Sequence, residues 1–347
     1  MHEIIKEDIE RIISENLPWN MLEGQSILVT GASGVLGTYI VYTLMRLNEG
    51  GKNIRVNALC RNRACAEVKF GEYLNNKNFN LLIQDVCDPI DDDYRSDFII
   101  HTASPANPYI CENDPYEVIR TNVFACDNLI KKSKIWNSKQ FLLLSSSAVY
   151  GYKSPMEGIS ETYRSELNFT DCKSAYALSK QMCEMMIASK QNESDCIYKS
   201  VRPFVIYGPG EKVSHKKCLT DFTGNCVKNE RIVLKSPGKA IRSYIYIADA
   251  ICALFYVVMK GEGGAYNISS EENVYSINEV ADFFCHEGKV EKFYDIDMET
   301  EYLQNTTSIM VGKNEKIKLL GWKEHISFQE GIHRMVEWAK NGEFFDC

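Results

Sequence analysis

No stretch of this chain is apolar for long enough to cross a bilayer, which excludes a helical membrane protein as the reading of its sequence. An excess of positive charge is also missing. The net charge of -8 argues against a general nucleic-acid or membrane-binding surface, while leaving open local basic pockets for a phosphorylated ligand. The thirteen cysteines include no CxxC pair and no zinc-ligand spacing. Neither a disulfide framework nor a metal site is therefore expected, and the thiols read as reduced, which places the protein in the cytoplasm. There is no internal repeat and no low-complexity tract. What remains, 347 residues that are 45% hydrophobic and 25% charged, is an ordinary globular composition with enough apolar surface for a large core in two closely joined lobes.

Within that composition one run is distinctive: Ser26-Ile27-Leu28-Val29-Thr30-Gly31-Ala32-Ser33-Gly34-Val35-Leu36-Gly37. It reads as a strand, a glycine turn and a helix start. Glycine at 31, 34 and 37 permits a sharp turn, close approach of backbone to a pyrophosphate, and tight packing of helix on strand. The free amides and dipole of the helix N-terminus, at Ser33 to Leu36, then favour an anion. Tyr39, Ile40, Val41, Leu44 and Met45 follow at helical spacing. The next strand, Ile54 to Leu59, runs into Cys60-Arg61-Asn62-Arg63, with no acid to take a ribose 2′-hydroxyl. Arg61 or Arg63 can instead meet a 2′-phosphate, so the cofactor is NAD or NADP with a lean to NADP from Arg61; two solvated surface arginines are the alternative.

Further strands are predicted at Asn80 to Ile83, Asp97 to Thr102, Gln140 to Ser145 and Cys196 to Val201, with helices such as Asn122 to Lys134 and Tyr176 to Ala188 between them. Alternation of this kind predicts an α/β fold, a Rossmann-type doubly wound parallel sheet with a smaller C-terminal α/β substrate lobe. The predicted boundaries are a helical extension at 1–24, a dinucleotide-binding domain at 25–205 that also receives about 243–265, and a mainly substrate-binding lobe at 206–347. Met1 to Leu17 carries Ile4, Ile5, Ile9, Ile12, Ile13 and Leu17 among charges, an amphipathic helix rather than a secretory signal. Ligands in doubly wound sheets collect at the carboxyl ends of the strands, here Asp85-Val86, Ala103-Ser104-Pro105 and Ser145-Ser146-Ser147.

Tyr176 and Lys180 are four apart in Ser174-Ala175-Tyr176-Ala177-Leu178-Ser179-Lys180 and so share a helix face. An ammonium there, with an oxidised nicotinamide, is expected to lower the tyrosine's pKa and let Tyr176 serve as general base. Together with TGxxGxxG at Thr30 to Gly37, the serine run ending in Val149-Tyr150-Gly151, Thr121-Asn122, Arg202 with Tyr207-Gly208-Pro209-Gly210, and Arg242-Ser243-Tyr244-Ile245-Tyr246, the chain resembles the extended short-chain dehydrogenase/reductases. The nearer likeness is to their nucleotide-sugar epimerase/dehydratase branch, and it runs from about residue 25 to 340.

The resemblance implies a nicotinamide cofactor over the first lobe and a nucleoside-diphosphate sugar beneath the second. It gives Gly31, Ser33, Gly34, Val35, Leu36, Gly37, Asp85, Val86, Ala103, Ser104, Asn122, Tyr176 and Lys180 to the cofactor, with Asp85 and Val86 at the adenine, beside the Arg61 read from the end of the second strand. Ser104, Ser146, Ser147 and Arg242 fall to the substrate, Arg242 at the diphosphate. Ser146, four before the tyrosine of VYG, would hydrogen-bond the sugar hydroxyl, with Ser147 as the fallback. Tyr176 would take the proton from the C4 hydroxyl, and Lys180 would tune it and hold ribose. Two departures matter. The positions after the catalytic serine, Ser147 and Ala148, lack the acids that dehydratases and decarboxylases of the branch carry, which favours 4-epimerisation or oxidoreduction at C4. Val205 stands where many relatives have an asparagine. Ala103-Ser104-Pro105-Ala106 is nevertheless similar to the UDP-glucuronate decarboxylases, so a 4,6-dehydratase or decarboxylase is the second reading and a cofactor-sensing binding protein the non-enzymatic one. The branch's habit of pairing two helices per subunit implies a homodimer through 122–134 and 176–188. His101 reads as a satisfied core histidine, His215-Lys216-Lys217 as a solvated turn, and Cys172 as unreactive.

Overall fold

The computed structural model describes residues 1–105, 108–151, 154–211, 217–296 and 308–341. Ala106, His215 and Lys216 lie outside the described residues. Seven parallel strands form the central sheet: β1 (Ser26–Thr30), β2 (Arg55–Cys60), β3 (Phe79–Ile83), β4 (Phe98–His101), β5 (Gln140–Leu144), β6 (Ile197–Pro203) and, returning late, β10 (Gly264–Ile268). Their order, β10-β6-β5-β4-β1-β2-β3, reverses between β1 and β4. The crevice at that reversal, beyond the carboxyl ends of β1 and β4, is where a doubly wound sheet receives its ligand.

Strand alternation divides the core in two. Ile27 and Val29 of β1 join one apolar cluster, and Leu28 between them joins the other. The first face is covered by α2 (Val35–Glu49), α3 (Arg63–Phe70) and α8 (Ile247–Lys260), the second by α5 (Pro115–Trp136) and α6 (Ala175–Lys190). Helix α8 buries all but one of its residues, a helix apolar all round that is closed in on every side. The short α4 (Pro108–Asn113) precedes α5, whose N-cap Asp114 accepts from Glu117 N, with Pro115 fixing the first turn. Helix α1 (Glu3–Ser14) turns Ile5, Ile9 and Ile12 inward against α2 and α8.

The second lobe holds β7 (Val205–Tyr207), β9 (Ile241–Tyr246), β11 (Val274–Ser276) and β13 (Ile309–Met310) in one small sheet and β8 (Ile232–Leu234) with β12 (Lys292–Tyr294) in another. Helices α7 (Cys218–Lys228), α9 (Ile277–Gly288) and α11 (Phe328–Lys340) pack on one another beside them, with the one-turn α10 (Glu315–Lys318) against β10. Strand β9 feeds straight into α8, so the lobes share a continuous element.

Candidate active site

The glycine turn is as tight as its sequence requires. Gly31 has φ +63°, and a Cβ built there would lie 2.7 Å from Ala103 Cα; at Gly37 it would lie 2.4 Å from Gly31 O and 2.8 Å from Ala32 Cα. Both neighbours are backbone and cannot step aside. Gly34 is the N-cap of α2 and brings no side chain to its amides, while Val35 and Leu36 of the first turn are half-buried and Gly34 is exposed. This cradle fits a pyrophosphate on the helix N-terminus. Lys69 of α3 braces the turn from outside, its Nζ donating to Ser33 O at 2.7 Å.

Around the expected adenine end, Val86 is buried, Ala103 is half-buried, and Asp85 accepts from Cys87 N at 2.8 Å while lying 3.8 Å from the Arg120 guanidinium. Arg61 is exposed at the end of β2. Arg63 instead pairs with Glu67 of its own helix at 3.2 Å. At the sheet reversal Thr30 Oγ1 and His101 Nδ1 are 2.7 Å apart, and burial drives the imidazole pKa down to about 3, so His101 is a neutral core residue as its sequence context implied.

On the other side of the crevice, Ser146 follows β5 and Tyr176 opens α6. The phenol of Tyr176 lies near the hydroxyls of Ser146 and Ser104, which favour its ionised form, and near the thiol of Cys111 from α4, which opposes it. Ser146 also accepts from Ala148 N at 3.1 Å, which holds the serine run in a single helical turn with Ser147 half-buried at its start. A relay of side chains fixes the tyrosine from behind: Ser104 Oγ donates to Asn122 Oδ1 at 2.7 Å, Asn122 Nδ2 to Ser179 Oγ at 2.9 Å, and Ser179 Oγ to Tyr176 O at 2.9 Å. Asn122 is 1% exposed with both ends of its amide engaged. Its place here is as a brace between α5 and α6.

Lys180 departs from expectation in one respect. Its Nζ donates to Leu144 O at 2.8 Å and lies 5.9 Å from the centre of the Tyr176 ring. The phenol pKa is raised, because burial penalises the phenolate more than the hydroxyls of Ser146 and Ser104 favour it, and burial lowers the Lys180 pKa. The lysine alone does not depress the tyrosine.

Arg242, in β9, gives Nη1 to Ile241 O at 2.8 Å and Ser308 O at 2.7 Å, and Nη2 to Ser308 Oγ at 2.7 Å. Its fork is half-buried at the edge of the second lobe. Val205, in β7, is paired with Tyr244. The sequence reading missed Cys111 and Ser179, and it missed the ion pair of Arg202 with Glu184, in which Nη2 reaches Oε2 at 2.5 Å and Nε reaches Oε1 at 2.9 Å. Glu184 lies one turn past Lys180, and that spacing was the only local signal.

The sequence profile of the NAD dependent epimerase/dehydratase family matches residues 27–269. UDP-glucuronic acid decarboxylase 6 of Arabidopsis thaliana is 24% identical over 316 residues, 90% of this chain and 88% of that protein. The dTDP-D-glucose 4,6-dehydratase of Homo sapiens is 22% identical over 335 residues, 93% of each. Among solved structures, UDP-glucose 4-epimerase of Thermotoga maritima with UDP-glucose superposes with a TM-score of 0.79 at 22% identity, covering 91% of this chain and 99% of that one. With its glycine cradle at a sheet reversal and its Ser146–Tyr176 pair, the chain belongs to the NAD dependent epimerase/dehydratase family.

Proposed function

We propose that this protein oxidises a nucleoside-diphosphate sugar at C4, as a 4-epimerase or a 4-keto-forming oxidoreductase, with Tyr176 as base. The convergence of Ser146, Ser104 and Tyr176 on one point beside the glycine cradle carries the reading. A bound nicotinamide supplies the hydride acceptor and, when oxidised, a positive charge beside the phenol. Ser146 orients the sugar hydroxyl, and Tyr176 takes its proton as the C4–H bond is broken. Lys180 contributes its charge and its grip on Leu144 O, which keeps α6 seated against the end of β5. The buried hydroxyl of Ser145, without a hydrogen-bond partner among the described residues, lies next in the chain to Ser146 and suits a polar group of the cofactor's nicotinamide end.

Ser147 and Ala148 offer no carboxylic acid after Ser146, which favours epimerisation or simple oxidoreduction over 4,6-dehydration or decarboxylation. The second reading draws on the relatives, which include a decarboxylase and a dehydratase. Residues 25–205 with about 243–265 serve the cofactor, 206–347 mainly the sugar nucleotide, and 1–24 form a helical extension. Ser33 to Leu36, Asp85, Val86 and Ala103 hold the cofactor, Ser104 and Ser147 flank the sugar, and Arg242 meets the diphosphate by exchanging its hydrogen bonds to Ser308 for phosphate oxygens. The cofactor is NAD, as the family's name has it, or NADP bound through Arg61. The enzyme acts in the cytoplasm as a homodimer, for which the exposed apolar side chains of paired helices α5 and α6, Tyr116, Phe124, Met182 and Met185, provide the surface. No helix among the described residues is long and apolar enough to cross a membrane.

The test is turnover of UDP- and dTDP-hexoses by wild type and Tyr176→Phe. Loss of about 10²–10⁴-fold in kcat with substrate affinity retained is expected; undiminished turnover would overturn the assignment. Release of stoichiometric NAD⁺ on denaturation would mark a cofactor recycled within each turnover.

A further inference from the structure

Helix α1 precedes the residues that the family profile matches, yet it places a buried carboxylate where α2, β9 and α11 meet. Asp8 shares the inward face of α1 with Ile5, Ile9 and Ile12 and is 1% exposed. Its Oδ2 accepts from Tyr39 Oη at 2.9 Å and from Tyr246 Oη at 2.9 Å, and its Oδ1 accepts from Arg334 Nη2 at 2.9 Å. Arg334 is held in turn by Tyr246 Oη at 3.2 Å, by Ile4 O at 3.1 Å and by Glu7 Oε2 at 3.0 Å. Both tyrosines are buried, so removal of the carboxylate strands their hydroxyls away from water.

The three donors come from three different elements. Tyr39 stands in the second turn of α2, directly behind the turn that receives the pyrophosphate. Tyr246 ends β9, the strand that carries Arg242, and Arg334 belongs to α11 of the second lobe. A single buried carboxylate therefore fixes the cofactor helix, the strand bearing Arg242 and the outer helix in one mutual geometry, and hydrogen bonds to a buried charge are both strong and directional.

We propose that Asp8 is a positioning residue: through Tyr39 on one side and Tyr246 and Arg334 on the other, it couples the helix that binds the cofactor to the lobe that binds the sugar nucleotide. What each lobe binds rests on the proposed function; the coupling itself does not. Because Asp8 touches neither ligand, its removal acts by letting α2 and β9 move independently of each other.

The experiment measures NAD⁺ affinity by calorimetry, thermal stability, and amide hydrogen exchange on the full chain. Asp8→Asn is expected to weaken NAD⁺ binding at least fivefold and to speed exchange together in residues 35–39 and 241–246. Arg334→Gln, in the second lobe, should weaken NAD⁺ at least threefold, and Tyr39→Phe serves as a milder variant should Asp8→Asn fold poorly. Glu7→Gln, which removes only the exposed partner of Arg334, should leave affinity within 1.5-fold. A fall in stability with NAD⁺ affinity within 1.5-fold of wild type and faster exchange confined to α1 would show a purely structural role and overturn the proposal. If the wild type takes up neither NAD⁺ nor NADP⁺, the functional reading falls, and exchange in the two segments still decides whether Asp8 couples them.

Discussion

Replacing Gly37 by alanine tests the glycine cradle most directly. A Cβ there sits 2.4 Å from Gly31 O, whereas a carbon and an oxygen in ordinary contact need about 3.3 Å or more. The obstruction is backbone, so α2 must slide by about 1 Å relative to β1. An amide placed about 2.9 Å from a phosphate oxygen would then stand near 3.9 Å, outside hydrogen-bond range. Each such bond to a charged group contributes about 1.5–3 kcal/mol, and losing two gives about 3–6 kcal/mol, or about 10²–10⁴-fold in affinity. Overpacking in the fold itself should cost about 1–3 kcal/mol. Gly71→Ala is the matched control: its Cβ meets nothing within 4 Å, φ is -52°, and stability should rise slightly or stay level. Titration calorimetry with NAD⁺ and thermal unfolding read both effects. If Gly37→Ala binds NAD⁺ within threefold of wild type, the close-approach argument is wrong.

Glu184→Ala should destabilise the protein by about 2–4 kcal/mol, because it leaves the half-buried Arg202 guanidinium, its side chain 14% exposed, without its bidentate partner while Tyr150 Oη and Glu161 O remain bonded to it at 2.8 and 2.9 Å; urea unfolding measures it. Glu324 has its pKa raised to about 7, first by burial. Protonation is then tighter in the folded state, so its contribution is full below about pH 4.5 and is lost as pH rises through 7. The stability difference between wild type and Glu324→Gln should shift against wild type by up to about 3 kcal/mol between pH 4.5 and 7.5, and a flat difference would refute the assignment. Met185→Asp, at a side chain 67% exposed on α6, should yield monomers by light scattering if that face pairs two subunits. Arg61→Asp should move the NADP⁺/NAD⁺ affinity ratio toward NAD⁺ by at least tenfold if Arg61 meets a 2′-phosphate, and leave it unchanged if the arginine is merely solvated.

The features legible in the sequence are those whose logic is local. A strand, three glycines and a helix start interact within a dozen residues, and Tyr176 with Lys180 needs only the 3.6-residue helical period, so both could be placed before any fold was known. Strand positions followed from apolar runs to within a residue or two: Asn80 to Ile83 was expected where Phe79–Ile83 forms. A parallel, doubly wound sheet was implied by alternation of strands and helices, since parallel neighbours require crossovers, whereas the late return of β10 (Gly264–Ile268) to its edge was not. What the sequence could not show depends on groups far apart along the chain. Asp8 meets Tyr246 across 238 positions, and nothing near residue 8 marks it as more than a charge on an amphipathic helix. The direction of the Lys180 ammonium was likewise undecidable, because Leu144 O competes for it only once β5 lies beside α6. The sequence by itself determined the fold class and the spacing of the candidate groups Tyr176 and Lys180, because these follow short periods. The tertiary structure alone decided which charges are buried, what each accepts from, and so the sign of the Tyr176 pKa shift, because desolvation belongs to the assembled protein and to no segment of it.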